Sequence, residues 1–301
     1  MNAPLKIGLV GLDTSHVVSF ADEFNDSTSA NHIPGARIVA GFPGGSPDME
    51  LSISRVDGYT KTLREKYDVE IVNSPEVVAE KADAILLTTV DGRLHRDQFS
   101  RIAEAGKPVF IDKPLAVCSE DAIAIAAIAK KRGTPLMTSS ALRYSMALTD
   151  VLERKGRENV TGADFAGPMV LVPTCPGYFW YGIHTAEQLY TSMGKGCEKV
   201  IARYSENHDS LIAVWKDGRI GTLRGNRLGN DSFDGMVHFA DEICHIDVAA
   251  AKKPFTKSLS EAVLAFLLTG NSPIDLEESV EIVRFLEAAN ESRESGKEVY
   301  L

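Results

Sequence analysis

Up to about residue 140 the sequence alternates short apolar runs with helix-patterned stretches, and this alternation limits the fold more than any other feature. "LKIGLVG", "ARIVAGF", "VEIV", "DAILLTTV", "PVFID" and "TPLMTSS" read as strands. Between them "HVVSFADEF", "GYTKTLREKY", "SPEVVAEK", "LHRDQFSRIAEAG" and "SEDAIAIAAIAKKRG" read as helices. Ser74 before Pro75 signals a helix start and Ser119 a second cap, while Gly106 and Gly133 mark stops. Near-continuous apolar strands joined by helices pack as a parallel sheet covered on both faces. Ligands of such sheets bind at the carboxyl ends of the strands. The fold class is therefore α/β, with residues 1–140 forming a Rossmann-type, doubly wound, dinucleotide-binding domain.

Beyond "ALRYS" the pattern changes. "GPMVLVPT", "KVIARYS", "SLIAVWKDGRIGTLRG" and "GMVHFAD" read as extended segments, with Asp217-Gly218 as a hairpin turn. One helix, "IHTAEQLYTSMG", sits among them, and a closing helix spans "LEESVEIVRFLEAANESRESG" with Gly296 as its stop. Residues 141–301 are predicted to form an α+β domain with a largely antiparallel open sheet.

The net charge is −10 with no basic block, which argues against nucleic acid or an anionic membrane as the main partner. A small-molecule substrate suits it better, and an anionic cofactor is still allowed because backbone amides bind phosphate without cations. The four cysteines are far apart, with no paired or zinc spacing, and read as reduced thiols of a cytoplasmic protein. No signal-peptide pattern and no apolar run of roughly 18–20 residues is present.

Four stretches carry residues suited to chemistry. "FIDKPLA" places Lys113 beside Asp112 at the end of the fifth strand, with Pro114 stiffening its backbone. "TTVDGRLHRDQF" places His95 at a helix start on the same sheet edge. Arg143 in "RYS" would reach an interdomain cleft. In "WYGIHTAEQLY", His184 and Glu187 are three apart and share a helix face. Taken singly, each also fits a bland reading as a surface turn, a helix cap or a core side chain.

Together these stretches resemble the glucose–fructose oxidoreductase / inositol dehydrogenase / MocA family of NAD(P)-dependent dehydrogenases. "LHRDQFSRIAEAGKPVFIDKPLA" is similar to the family's "aGkhVlcEKPla" signature, with Asp112 in place of Glu. "WYGIHTAEQL" is similar to its "DlGiHyiDl" block. "LRYS", "AVWKDGRIGTL" and "EESVEIVRFLEAANESRESGKEVYL" follow in the family's order. The resemblance implies NAD or NADP as cofactor and a hydroxyl of a sugar, inositol or related polyol as substrate. It assigns catalysis to Lys113 and His184. Cofactor contacts fall on Gly11, Asp13, Thr14, Ser15, His16, Thr89, His95, Asp112 and Lys113, and substrate contacts on Arg143, Trp180, His184 and Glu187. It further makes residues 141–301 the substrate and oligomerisation domain and implies a homo-oligomer, a dimer or tetramer. Imidazole suits the proton and an ammonium suits the developing alkoxide.

Three departures stand out. The loop expected as G-x-G-x-x-G reads Gly11-Leu12-Asp13-Thr14-Ser15-His16. Asp13 adds a side chain and a charge where a pyrophosphate sits, and Asp, Thr and Ser are expected to cap the following helix themselves. The second strand ends in "GFPGGSPD", lacking the acid that would hold a ribose, with Gly44, Gly45 and Ser46 as a substitute loop. Trp180 replaces the aspartate that would precede the histidine; with Tyr178, Phe179 and Tyr181 it forms an aromatic cluster for stacking or packing. Two other readings follow. One is a non-catalytic relative that binds a small ligand or partner. The other is a metal-dependent hydrolase or lyase built on Asp13, His16, His95 and His184.

Overall fold

The first apolar run, Leu5–Val10, becomes strand β1, its last four residues buried. From there the chain alternates α1 (His16–Asn25), β2 (Ala36–Phe42), α2 (Glu50–Tyr67), β3 (Glu70–Ile71), α3 (Pro75–Lys81) and β4 (Ala84–Leu87). It continues through α4 (His95–Ile102), β5 (Val109–Asp112), α5 (Ser119–Arg132) and β6 (Leu136–Ser139). The computed structural model describes residues 3–301. The six strands form one sheet in the order β3-β2-β1-β4-β5-β6. β1 pairs in parallel with β2 and β4, β2 with β3, and β4 with β5. Every residue of β4 and β5 is buried, as strands covered on both faces require.

Local signals set the element ends as read from the sequence. The Ser74 hydroxyl accepts the Val77 amide, and Pro75 opens α3. Gly106 and Gly133 end their helices at φ of 63° and 65°. α2 starts well before the expected "GYTKTLREKY", at Glu50.

The second set of elements is α6 (Met146–Lys155), β7 (Gly162–Pro168), α7 (Gly182–Met193), β8 (Cys197–Tyr204), β9 (His208–Trp215) and β10 (Ile220–Asn226). Then come β11 (Asp234–His238), β12 (Ile243–Asp247), α8 (Phe255–Thr269), α9 (Leu276–Ser295) and β13 (Val299–Tyr300). The sheet order is β12-β11-β7-β10-β9-β8-β13. Every neighbouring pair is antiparallel except β7 with β10. The Asp217-Gly218 turn joins β9 to β10, with Gly218 at φ of 88° and the Asp217 carboxylate accepting the Arg219 amide. The strand expected over "GPMVLVPT" lies earlier, at Gly162–Pro168. Helices α6 and α8 were not expected.

Two units emerge from the contacts. The first takes in residues up to Ala116, then Glu120–Thr138 and Ser260–Leu276; the second takes in Val117–Ser119, Ser139–Leu259 and Glu277–Leu301. Among the described residues no helix is long and apolar enough to cross a membrane.

Candidate functional site

Gly11 opens the turn after β1 at φ of 87°. A Cβ there would stand 2.1 Å from Thr89 Oγ1 and 2.5 Å from Thr89 Cα, so only glycine lets this turn close on the loop after β4. The Thr88 hydroxyl donates to the Gly11 carbonyl at 2.7 Å and fixes that approach.

Asp13 follows, fully buried. Its carboxylate accepts the Val90 amide at 2.9 Å and the Ser52 hydroxyl at 2.6 Å. Burial pushes its carboxyl above the usual carboxylate range, against the pull of Ser52, Val90 and Arg55. The expectation that this loop caps α1 is corrected for Asp13 and Ser15. Asp13 faces away toward Val90 and Ser52, and Ser15 at the N-cap makes no side-chain cap bond. Thr14 Oγ1 lies 3.4 Å from the His16 amide, a long contact.

The loop after β2 joins the same network. The Leu12 amide donates to the Pro43 carbonyl at 2.7 Å. Ser52 accepts the Ser46 amide at 2.8 Å, and the Ser46 hydroxyl donates to Asp91 at 2.6 Å. Arg93 grips Asp91 and also pairs through both terminal nitrogens with Asp48, at 2.8 and 2.9 Å. Burial acts to raise the Asp91 carboxyl, but Arg93 and Ser46 together hold it below the usual range.

At the ends of β4 and β5 lies a second group. The Thr89 hydroxyl is turned toward α4 and donates to Gln98 at 2.7 Å. His95 is fully buried, with Nε2 2.7 Å from the Thr89 carbonyl and Nδ1 2.9 Å from that of Pro114. It is a strut tying the two loops together rather than a residue on the sheet edge. Asp112 is also buried; one oxygen accepts the Lys113 amide at 2.9 Å and the other His16 Nδ1 at 2.5 Å. Burial acts to raise its carboxyl, but His16 and Lys113 outweigh this and hold it low, so Nδ1 carries the shared proton. In the neutral ring that leaves Nε2 of half-buried His16 as an acceptor. Lys113 itself is half-buried.

In the second unit, α7 presents His184 and Glu187 to the turn around Ala141–Tyr144. His184 Nδ1 meets the Ser140 hydroxyl at 2.6 Å. Tyr181 and Phe233 stand edge-on to the imidazole, with ring centroids 5.6 and 5.7 Å away. Arg143 is buried, its guanidinium bonded to Glu187 at 2.7 Å and to Glu278 at 2.8 Å. Arg157 completes a quartet through Glu278. Burial pushes the Glu187 carboxyl up, with Arg143 pulling against it. Of the aromatic cluster, Tyr178 and Phe179 are core, and Tyr178 donates to Asp209 at 2.8 Å. Trp180 and Tyr181 are half-buried.

The structure thus gathers Gly11, Asp13, Thr89, Asp112 and His16 on one sheet edge, with His95 buried as a strut between its loops, and Arg143, Glu187 and His184 around one turn. Among the described residues no three His, Cys, Asp or Glu side chains group to hold a metal. Sequence reasoning passed over Ser52, Asp91, Arg93 and Ser140. "VDGR" was the available signal: Asp91 accepts the Arg93 amide at 3.0 Å, a local Asp turn.

Residues 49–140 match the model of an oxidoreductase family with an NAD-binding Rossmann fold, GFO_IDH_MocA. The match starts at Met49 and leaves out β1, the Asp13 turn and β2. No curated protein matches the chain. Among solved structures, a myo-inositol dehydrogenase from Corynebacterium glutamicum has 14% identity over 99% of both chains, with a TM-score of 0.79. A myo-inositol 2-dehydrogenase from Lactobacillus plantarum has 15% identity over 99% of this chain and 100% of its own, with a TM-score of 0.78. A scyllo-inositol dehydrogenase from Lactobacillus casei, solved with NAD(H) and scyllo-inositol, has 14% identity over 99% of both chains and a TM-score of 0.77. At these identities the likeness is one of fold. Over residues 49–140 the chain is thus similar to the NAD-binding Rossmann segment of that oxidoreductase family.

Proposed function

We propose that this protein is an oxidoreductase moving a hydride between a nicotinamide dinucleotide, NAD or NADP, and a hydroxyl-bearing carbon of a sugar, inositol or related polyol. The family match over residues 49–140 carries the reading, since that segment contains Thr89, His95, Asp112 and Lys113. The three inositol dehydrogenases of the same fold support the substrate class.

Tested against a dinucleotide, the residues divide. The start of α1 suits a phosphate, because Ser15 makes no side-chain cap bond there and Thr14 holds the His16 amide only at 3.4 Å. The Asp112–His16 pair and Lys113 suit a ribose and a reacting hydroxyl. Asp13 and the Ser46 loop, as placed, do not suit the pyrophosphate and adenosine. When bound, the nicotinamide would supply a hydride acceptor. The protein's own part is then proton handling. His184 Nε2 would take the hydroxyl proton, which requires Nδ1 to carry its proton and donate it to Ser140. The Lys113 ammonium would stabilise the developing alkoxide.

One observation favours a second reading, a relative that binds a small ligand without turnover: the buried Asp13 network across the crevice. We also infer a homo-oligomer formed through the outer face of the second sheet, where Ile212, Ile220, Met236 and Ile243 are exposed. Four cysteines far apart in the sequence, with no paired spacing, support a reducing, cytoplasmic setting.

Titration with NADH and NADPH, followed by assay with NAD and scyllo- or myo-inositol, tests the reading. Lys113→Ala and His184→Gln should each lower kcat by about 10²–10³-fold with an unchanged circular dichroism spectrum. Wild-type protein that binds neither nucleotide at millimolar concentration overturns it.

A further inference from the structure

In a Rossmann unit the dinucleotide crosses the carboxyl end of the first strand, between the loops after its neighbours. In this protein those same three loops are joined there by their own side chains. Asp13 bridges the Val90 amide, 2.9 Å away, and the Ser52 hydroxyl, 2.6 Å away. Ser52 holds the Ser46 amide, Ser46 holds Asp91, and Arg93 clamps Asp91 to Asp48. Asp13, Ser46, Ser52 and Asp91 are each 3% exposed or less. Gly44, at φ of 66°, passes so low over the turn that a Cβ on it would stand 3.6 Å from Gly11 Cα.

The donors that Asp13 engages, a backbone amide and a hydroxyl, are those that commonly bind phosphate oxygens. Two anionic oxygens are already seated on them. A glycine at position 13 would leave both donors facing an open crevice. At the start of α1, by contrast, Ser15 makes no side-chain cap bond, and Thr14 Oγ1 reaches the His16 amide at a long 3.4 Å. The phosphate site is therefore half free and half filled from within.

We propose that the Asp13 carboxylate is an internal ligand of the phosphate site. A nicotinamide dinucleotide binds by displacing it from Val90 and Ser52 and by lifting residues 43–49 from the turn after β1. This rests on the oxidoreductase reading and adds a competition to it. Apparent affinity is reduced by the fraction of molecules in which the latch is closed.

Fluorescence titration with NADH and hydrogen exchange of residues 43–53 and Val90 test this together. Asp13→Gly should lower the Kd for NADH at least tenfold, and Asp13→Asn by less, because it keeps the shape and loses the charge. Ser46→Ala, which cuts only the link to Asp91, should shift Kd in the same direction and guards against a glycine variant that folds poorly. In wild type, the Val90 amide and residues 43–53 should be protected without nucleotide and exchange faster with NADH bound. In Asp13→Gly they should exchange fast from the start. Equal Kd values in wild type and all three variants, or a Val90 amide that stays protected under saturating NADH, overturn the internal ligand and leave the oxidoreductase reading standing. Wild type and Asp13→Gly that both fail to bind at millimolar NADH overturn both.

Discussion

Asp13 shows how one side chain redirects a turn. Glycine at that position would present bare backbone to a ligand; aspartate bonds inward and brings a buried charge with it. The cost has a definite pH signature. The folded carboxyl titrates above its ordinary value of 3.8, so the stability of its neutral form is full below that value and lost as pH rises through the folded value. At neutral pH the native state thus carries a penalty that Asp13→Asn removes. Thermal melts should show Asp13→Asn more stable than wild type at pH 7–8, by a few degrees for a gain of about 1 kcal/mol, with the difference shrinking toward pH 4. The sequence exposes Asp13 and His16 as anomalies because the glycine pattern is local. It hides their partners, since Ser52, Val90 and Asp112 lie 39, 77 and 96 residues away and only the folded sheet edge brings them in.

Among the elements, α7 is held to the turn around Ala141–Tyr144 by a charge cluster of Arg143, Glu187, Glu278 and Arg157. Arg143 sits at its centre between two buried carboxylates, so removing it strands both. Arg143→Met should destabilise the protein by about 3–5 kcal/mol, measured by urea unfolding; a loss under 1 kcal/mol would show the cluster to be dispensable. From sequence this arginine reads as a ligand contact, because nothing local reveals Glu278, 135 residues on. Element boundaries followed the same logic. Ser74-Pro75, Gly106, Gly133 and Asp217-Gly218 act within a few residues and were legible. β7 was displaced because its register comes from β10, a distant parallel partner, and because Pro168 and Pro173 lack the amides a longer ladder needs. α8 escaped notice because "AVLAFLL" is apolar on every side and shows no helical period.

For the whole molecule, the second sheet leaves one face partly apolar. Ile201, Ile212 and Thr222 share one row across β8, β9 and β10, and Val214 and Ile220 share the next. An inward-pairing copy of the same face would cover them. Ile212→Lys combined with Ile220→Glu should convert an oligomer to a monomer in light scattering without changing the melting temperature by more than a few degrees; an unchanged mass would place the interface elsewhere. The two-sheet architecture was legible because strand–helix alternation and hairpin signals are short-range. One feature of the first unit was not, the return of Ser260–Leu276 to it. Val263, Phe266 and Leu267 of that stretch are buried. A ribosome therefore releases β1 through β6 long before the strip that completes their unit. Until that stretch is synthesised, the nascent first unit lacks part of its buried apolar set and stays exposed to chaperones and to its own neighbours on the polysome.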